Sequence, residues 1–266
     1  MRFDRFIERC RVEWPEFGDP RRLEQSLHPS TRDLSGVLSR VQGMATENKL
    51  KLLNLAVAAL GEGEVYVEVG CYKGASLVGA AAGNPDARIY ACDNFSQFDG
   101  ATEALAAVLE QFTRQGQVEF HNLDFREFMT RAPWRPAKIG AYFYDGGHSF
   151  EDQYDGLRFA LPHLADDALV VIDDTNKRAA RSANALIARQ VPGFELILNL
   201  RTPKNHHPTW WNGIQIYRYR ARGPLDSAAL AGASFSAHKL IYDNLFLNLK
   251  HRRRALRTKL KQSFKH

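Results

Sequence analysis

The sequence predicts an α/β domain built on a doubly wound, mostly parallel sheet. Three observations predict this fold class. Short apolar strands alternate with helical segments between residues 64 and 190, a glycine-containing turn follows the first strand, and two further strands close the series. Such alternation is typical of parallel sheets with helices on both faces. The apolar run Ala168–Ile172 fits a strand that is buried on both faces.

The segment before the sheet differs from it in composition. Residues 1–45 are polar and are interrupted by Pro15, Pro20 and Pro29, so we expect short helices and loops that cover the sheet. From Thr46 to Leu60 the apolar residues recur at helical spacing, and the glycines that follow are expected to end that helix.

The alternating elements follow in order along the chain. Strands are expected at 64–69, 88–92, 117–121, 141–144, 168–172, 194–200 and 214–219. Helices are expected from about residue 74, at 101–113, around 125, from 150 and at 179–190. The sequence thus predicts a helical cover at 1–45, a seven-stranded domain at 46–220 and an extension at 221–266.

Charge is unevenly distributed along the 266 residues, whose net charge is +6. Residues 221–266 hold ten Lys or Arg against two Asp, a net of +8, which leaves −2 for residues 1–220. The basic character therefore belongs to the tail. This distribution disfavours nucleic acid as the partner of the whole chain.

Cysteine content and hydropathy exclude several further classes. Cys10, Cys71 and Cys92 are too few and too scattered for a disulfide framework or a zinc site. The first residues lack the apolar core of a signal peptide, and no apolar stretch approaches the ~20 residues that span a bilayer. We therefore expect a cytoplasmic protein without a transmembrane segment.

The tail is predicted to form one long basic helix from residue 237 onward. Its apolar stripe consists of Ile241, Leu245, Leu249, Leu256, Leu260 and Phe264. Three roles remain open for it: packing on its own domain, forming a homodimer through the stripe, or binding an anionic surface through Arg252–Arg254.

The turn after the first strand is the expected ligand site, because open α/β sheets bind ligands beyond the carboxyl ends of their strands. It has the sequence EVGCYKGAS, residues 68–76. A dinucleotide fingerprint needs glycine at its first, third and sixth places, where this chain has Gly70, Tyr72 and Ala75. Tyr72 would obstruct a pyrophosphate, so NAD is disfavoured.

The same turn favours a ligand with carboxylate and ammonium groups. A helix beginning after a glycine turn favours a carboxylate, and Glu68 could accept from an ammonium group. Asp93, about 20 residues further on, ends the second strand where an acid would bind ribose hydroxyls. Together these residues indicate S-adenosylmethionine (SAM).

The glycine turn and its neighbouring residues resemble a motif of a known protein family. The pattern E-x-G-x-Y-x-G-x-S resembles the first motif of class I SAM-dependent methyltransferases, in the variant of catechol O-methyltransferase and its small-molecule relatives. The resemblance implies a loop at Asp124 and Phe125 beside the adenine, although Phe125 would fit equally well in the core. The cofactor-binding residues it implies are Glu68, Gly70, Cys71, Tyr72, Lys73, Gly74, Ser76, Asp93, Asn94, Asp124, Phe125, Asp145 and Gly146.

Carboxylates follow the fourth and fifth strands, namely Asp145 and the pair Asp173–Asp174. Three converging carboxylates repel each other unless a cation is present, and oxygen ligands favour Mg²⁺, with Mn²⁺ or Ca²⁺ as alternatives. The resemblance implies the same three residues as metal ligands. The segment DGGHSFEDQYDGL, residues 145–157, also resembles the motif of macrocin-type sugar O-methyltransferases.

His148 lies three residues after Asp145, where the resemblance implies a catalytic base. A neutral imidazole near a hydroxyl can accept its proton, and Asp145 is the second predicted catalytic residue. A role for His148 in orienting the substrate or SAM stays open. Paired His and Trp residues between the last two strands predict an acceptor-facing loop, formed by Lys204, Asn205, His206, His207, Trp210 and Trp211.

The predicted function is SAM-dependent methyl transfer to a hydroxyl of a small molecule or sugar, assisted by a divalent metal. Three alternatives remain. A metal-independent methyltransferase would use the carboxylates to bind substrate directly. A nucleic-acid methyltransferase would use the basic tail, although the chain lacks the Asn/Asp-Pro-Pro-Tyr type of motif. A binding module would keep only the fold.

Overall fold

The computed structural model describes residues 1–98 and 102–225, together with Leu230 and Lys239. Within them it confirms the predicted seven-stranded sheet. The strands are β1 (Glu64–Val69), β2 (Ile89–Cys92), β3 (Val118–His121), β4 (Lys138–Tyr144), β5 (Leu164–Asp173), β6 (Phe194–Leu200) and β7 (Ile214–Arg220).

The strand order is β3-β2-β1-β4-β5-β7-β6. Strands β1 to β5 are parallel, whereas β7 is antiparallel to both β5 and β6. The chain runs outward from β1 to β3 and then returns to place β4 on the other side of β1. A reversal of this kind opens a crevice at the carboxyl ends of the two central strands. Val69 and Tyr144 lie opposite each other there.

Helices cover the sheet and connect most of its strands. Their bounds are α1 (Phe3–Glu13), α2 (Pro20–Leu23), α3 (Val37–Arg40), α4 (Glu47–Ala58), α5 (Ala75–Ala81), α6 (Thr102–Phe112), α7 (Phe125–Arg131), α8 (Phe150–Ala160) and α9 (Arg178–Gln190). Local sequence explains several starts: the side chains of Thr46, Asp124 and Ser149 accept hydrogen bonds from the first turns of α4, α7 and α8.

Two strands are longer than their apolar runs predict. β4 begins at Lys138 and β5 at Leu164, so β5 includes the polar pair Asp166–Asp167. Asp167 pairs with Arg218 on β7 at 2.6 Å, which compensates its charge. Hydropathy alone therefore places the start of β5 too late in the sequence, because a cross-strand ion pair allows polar residues to belong to the strand.

The N-terminal segment packs into the same compact unit as the sheet, which comprises residues 1–225. α1 places Phe6 and Cys10 in the main apolar core, and Trp14 packs against Trp210 with ring centroids 5.3 Å apart. The predicted boundary at residue 46 stays a prediction about sequence organisation. The basic helix, its dimer interface and its anionic-surface role fall on the tail, outside the described residues.

No helix among the described residues combines the length and the apolar character required to cross a membrane.

Candidate functional site

A cleft of about 510 Å³ lies at the carboxyl ends of the central strands. Residues that follow β1, β2 and β3 line one part of it, which we call the glycine half. Residues that follow β4 and β5, together with the segment 205–212, line the other part, which we call the carboxylate half. A smaller cavity of about 40 Å³ lies beside the glycine turn and Ser76.

Gly70 joins the two halves at the end of β1. Its φ of +83° is a conformation that favours glycine, and an added Cβ would lie 2.2 Å from the carbonyl oxygen of Asp145. The amide N–H of Asp145 donates to the carbonyl of Val69 at 2.8 Å. The first glycine of the turn is therefore required for the close approach of β1 and β4.

Asp93 holds the glycine turn against the end of β2. Its two carboxylate oxygens accept from the backbone N–H groups of Tyr72 and Phe95, both at 2.8 Å. Each oxygen retains a lone pair, and the residue lines the cleft. Asp93 is therefore placed both to fix the turn and to meet a ligand hydroxyl.

Glu68 has a different position from the one expected. It has no exposed surface, and its carboxylate accepts from the hydroxyls of Tyr66 and Ser76. Burial raises the pKa of Glu68 to about 7, although both hydroxyl donors oppose the rise. Because it does not line the cleft, Glu68 supports the turn from below, and direct contact with an ammonium group stays a prediction.

The other predicted cofactor residues divide by location. Those lining the main cleft are Gly70, Tyr72, Asp93, Asn94, Asp124, Phe125, Asp145 and Gly146. Cys71 and Ser76 line the smaller cavity. Lys73 lines neither and donates to Gln42 at 2.6 Å, while Gly74 packs against Leu105 with φ of +87°.

Aromatic rings line the far end of the glycine half. Phe125 is mostly buried, packs edge-on against Tyr144 and has the guanidinium of Arg126 4.4 Å from its ring centroid. Phe95 and Phe98 also line the cleft, and the sequence interpretation missed both. They lie in an irregular segment after β2, where no periodicity marks them.

The three predicted metal-binding carboxylates do not lie free together in the carboxylate half, because Asp173 lines the smaller cavity and not the main cleft. Asp173 forms an ion pair with Lys49 of α4, and both side chains are 2% exposed. Its other oxygen accepts from the backbone N–H of Asp174 at 2.6 Å. Desolvation and the nearby Asp173 raise the pKa of Asp145 well above its usual range, while Lys49 opposes the rise.

Asp174 accepts hydrogen bonds on both oxygens. Asn212 donates to Oδ1 at 2.5 Å, while Lys177 and His148 approach Oδ2 at 2.6 and 3.0 Å. Burial alone would raise the pKa of Asp174, but His148 and Lys177 hold it well below its usual range.

His148 faces the cleft with Nε2, which lies 3.8 Å from Asp145 as well as 3.0 Å from Asp174. Its Nδ1 is buried and has no hydrogen-bond partner among the described residues. A proton on Nδ1 would be an unsatisfied buried donor, so the contacts favour a ring proton on Nε2, donated to Asp174.

A metal fits this arrangement poorly. Ligand atoms of Asp145, His148 and Asp174 lie within 4.8 Å of one another, close enough for a cation. However, a ligating histidine normally donates its second ring N–H to a partner, and Nδ1 has none here. The predicted third ligand, Asp173, is bound to a lysine instead. The metal site therefore stays a prediction that the observed contacts do not favour.

The predicted acceptor-facing loop is divided. Asn205, His206 and Trp211 line the cleft, and the rings of His206 and Trp211 stack with centroids 4.8 Å apart. Trp210 instead is fully buried and donates to the carbonyl of Leu23 at 2.9 Å. His207 contacts Thr209 at 2.7 Å, and Lys204 does not line the cleft.

Three residues that bind Asp173 or Asp174 were missed by the sequence interpretation: Lys49, Lys177 and Asn212. Lys177 lies three residues after Asp174, a spacing that signals a local ion pair. Asn212 was interpreted only as a turn residue. Lys49 carried no distinguishing signal, because Glu47 and Lys51 are charged residues of the same helix, and nothing in the sequence pairs it with a residue 124 positions away.

Backbone strain is concentrated around the cleft. Six non-glycine residues with positive φ are found in the part of the chain that the structure describes. Five of them line the cleft: Tyr72, Phe95, Asp174, His206 and Trp211.

The sheet order and the cleft at its switch point are those of the class I methyltransferase fold. Residues 67–175 match the family model described as a methyltransferase domain, from within β1 to the residue after Asp174. The chain therefore carries a methyltransferase domain over these residues, as the sequence predicts. No curated protein sequence matches the chain significantly.

Solved structures share the fold at low sequence identity. TomG from Streptomyces achromogenes, an O-methyltransferase involved in tomaymycin synthesis and solved with SAM, is 17% identical, with 81% of this chain and 99% of that chain covered and a TM-score of 0.52. A protein from Klebsiella pneumoniae proposed to be an O-methyltransferase is 14% identical, with 79% and 99% covered and a TM-score of 0.55. The cofactor-bound Rv0187 from MTB is 17% identical, with 71% and 90% covered and a TM-score of 0.55. At these identities the likeness shows the fold alone.

Proposed function

We propose that this chain transfers the methyl group of SAM to a hydroxyl of a small molecule or a sugar. One observation carries the proposal: a single cleft joins the glycine half, which suits SAM, to a polar pocket at Asp145, His148 and Asp174. The fold shared with TomG, itself an O-methyltransferase, supports the same reaction class.

The reaction is a direct displacement. A lone pair of the acceptor oxygen forms the new O–C bond while the C–S bond breaks, and its electrons return to sulfur to give S-adenosylhomocysteine. The protein's main contribution is to align the oxygen, carbon and sulfur atoms. Gly70 brings the glycine turn next to Asp145, so the methyl donor and the acceptor meet at the junction of the two halves.

The hydroxyl proton passes to the group at Asp145 and His148. Nε2 of His148 already donates to Asp174, so Asp145 is the better acceptor of the two. Its raised pKa makes the ionised carboxylate a stronger base than an ordinary aspartate. His148 and Asp174 then fix the direction from which the hydroxyl approaches.

The aromatic pair His206–Trp211 borders this pocket beside Asn205 and Lys177. A flat ring face next to polar groups suits a phenol or a sugar ring, because both present an apolar face and hydroxyls. Assistance by a divalent metal, which the sequence predicts, is not part of the proposal, since the carboxylates are already bound by protein donors.

The test combines binding and product analysis. Calorimetry with S-adenosylhomocysteine is expected to give micromolar affinity. SAM labelled in its methyl group is then offered to phenols, catechols, glycosides and RNA, with mass spectrometry of the products. Label on a small-molecule hydroxyl is expected, and Asp145→Asn should abolish it while binding persists. Absence of binding, or label only on RNA, would contradict the proposal.

A further inference from the structure

Lys49 is a buried cation next to the carboxylate half of the cleft, although it does not line that cleft. It projects from α4 to Asp173 at the end of β5, and each side chain is 2% exposed. It also lines the small cavity beside Gly70 and Ser76. Burying a lysine costs free energy unless a partner compensates its charge. Removing either member of this pair would therefore leave an uncompensated buried charge.

The donors around the carboxylates leave no oxygen of Asp173 or Asp174 without a protein partner. Asp173 is bound by Lys49 and by the backbone N–H of Asp174. Asp174 is bound by Lys177, His148 and Asn212. A divalent cation would therefore have to displace these donors or share the remaining lone pairs with them.

Charge supports the same conclusion. Asp145, Asp173 and Asp174 contribute three carboxyl groups, and Lys49 and Lys177 contribute two ammonium groups within ion-pair distance of two of them. Two positive charges are what a divalent ion would bring to the same place. The protein itself therefore compensates the charges of Asp173 and Asp174, whose repulsion is the electrostatic reason for a metal.

We propose that the ammonium groups of Lys49 and Lys177 replace a divalent cation at Asp173 and Asp174, so that methyl transfer by this chain is metal-independent. The proposal rests on the proposed function for its reaction, but not for its metal-binding test. Lys49 is a positioning residue: it holds Asp173, which in turn lies beside Asp145.

The experiment uses the full chain after removal of metals. Mn²⁺ is titrated at pH 8 and followed by electron paramagnetic resonance, and methyl transfer is measured with excess EDTA or excess Mg²⁺. The wild type is expected to bind no Mn²⁺ at up to millimolar concentration and to keep its rate within about twofold. Micromolar Mn²⁺ binding, or a loss of about tenfold with EDTA that Mg²⁺ restores, would overturn the proposal.

Lys49→Met removes the internal cation and should expose Asp173 to a metal, so this variant is expected to gain Mn²⁺ binding. If it folds and binds none, Lys49 does not stand in for a cation and the proposal fails. Lys51→Met is the matched control, because Lys51 is equally buried on the same helix but pairs with Glu13 and Asp33. It is expected to gain no Mn²⁺ binding.

Folding of the variants is controlled separately. Lys49→Met combined with Asp173→Asn removes both charges, should tolerate burial better than the single variant and should bind no Mn²⁺. If Lys49→Met does not fold, the wild-type titration alone decides. Calorimetry with S-adenosylhomocysteine distinguishes the two proposals: its failure contradicts the methyltransferase function, whereas the Mn²⁺ result stands on its own.

Discussion

The glycine half and the carboxylate half of the cleft are built from different kinds of contact. In the glycine half, neighbouring strand ends hold each other through short connections, such as the bond from Tyr72 to Asp93, 21 residues apart. In the carboxylate half, Asp173 depends on Lys49 and Asp174 on Asn212, which are 124 and 38 residues away from their partners. The contacts of the glycine half join residues that are close in sequence, whereas those of the carboxylate half join residues that only the complete fold brings together.

This difference determines how substitutions should act. Changes in the glycine half should reduce cofactor affinity, because the turn lines the part of the cleft that we propose binds SAM. Changes in the carboxylate half should alter acceptor chemistry and leave cofactor affinity intact. A variant that affects both halves equally would show that the division is wrong.

Gly70→Ala should have the largest effect on stability and binding, because Gly70 lies where the two halves meet. The new Cβ would collide with the backbone of Asp145, and alanine disfavours φ of +83°. We expect a loss of at least about 3 kcal/mol in the free energy of unfolding, measured by urea titration, and no detectable S-adenosylhomocysteine binding. Gly63→Ala, with φ of +72° and open space, is the control and should lose about 1 kcal/mol.

Glu68→Gln tests the support beneath the turn. The folded pKa of Glu68, about 7, lies above its ordinary value of 4.5, so the wild type loses stability as pH rises between these values. Glutamine does not titrate. The variant's free energy of unfolding, relative to wild type, should therefore increase by about 3 kcal/mol between pH 4.5 and pH 8. A pH-independent difference between the two would contradict the buried position of Glu68.

Asp93→Ala should weaken S-adenosylhomocysteine binding about 10- to 100-fold in calorimetry. It removes both the acceptor for ligand hydroxyls and the anchor of the Tyr72 and Phe95 amides. Asp86→Ala, a 98% exposed carboxylate distant from the cleft lining, is the control and should bind normally. Unchanged affinity in Asp93→Ala would remove Asp93 from the cofactor site.

Asn212→Ala should have the smallest effect, and it should separate the two halves most clearly because it should change kcat without changing cofactor affinity. It removes a donor to Asp174 and an acceptor for the amide of His206. We expect kcat to fall about fivefold to tenfold while S-adenosylhomocysteine affinity stays within about twofold. Asn199→Ala, at an exposed position of the edge strand β6, should change neither quantity. A loss of cofactor affinity in Asn212→Ala would show that the halves are coupled.

The sequence predicts the fold and the glycine half better than the carboxylate half, for a physical reason. Strand periodicity and a glycine turn are local, so β1 is predicted with its observed bounds and Gly70 with its position at the cleft. The convergence of Asp145 and Asp174 also follows, because parallel strands end at one edge. The compensation of Asp173 by Lys49 does not follow, since periodicity indicates which face of a helix is buried but not which distant charge it meets. The same limit applies to Trp210, whose partner Leu23 lies on the N-terminal segment.

The left-handed residues raise the conformational energy of the backbone around the cleft that we propose binds SAM. Tyr72, Phe95, Asp174, His206 and Trp211 each hold a conformation that costs a non-glycine residue roughly 1 kcal/mol or more. Packing and hydrogen bonds in the surrounding fold must offset that energy, because the backbone conformations at the cleft are themselves unfavourable. Glycine at these positions would relax the backbone, yet it would remove the very side chains that line the cleft. Substitutions that raise the melting temperature should therefore be sought elsewhere in the fold. At these five positions, a gain in stability would come with a loss of ligand binding.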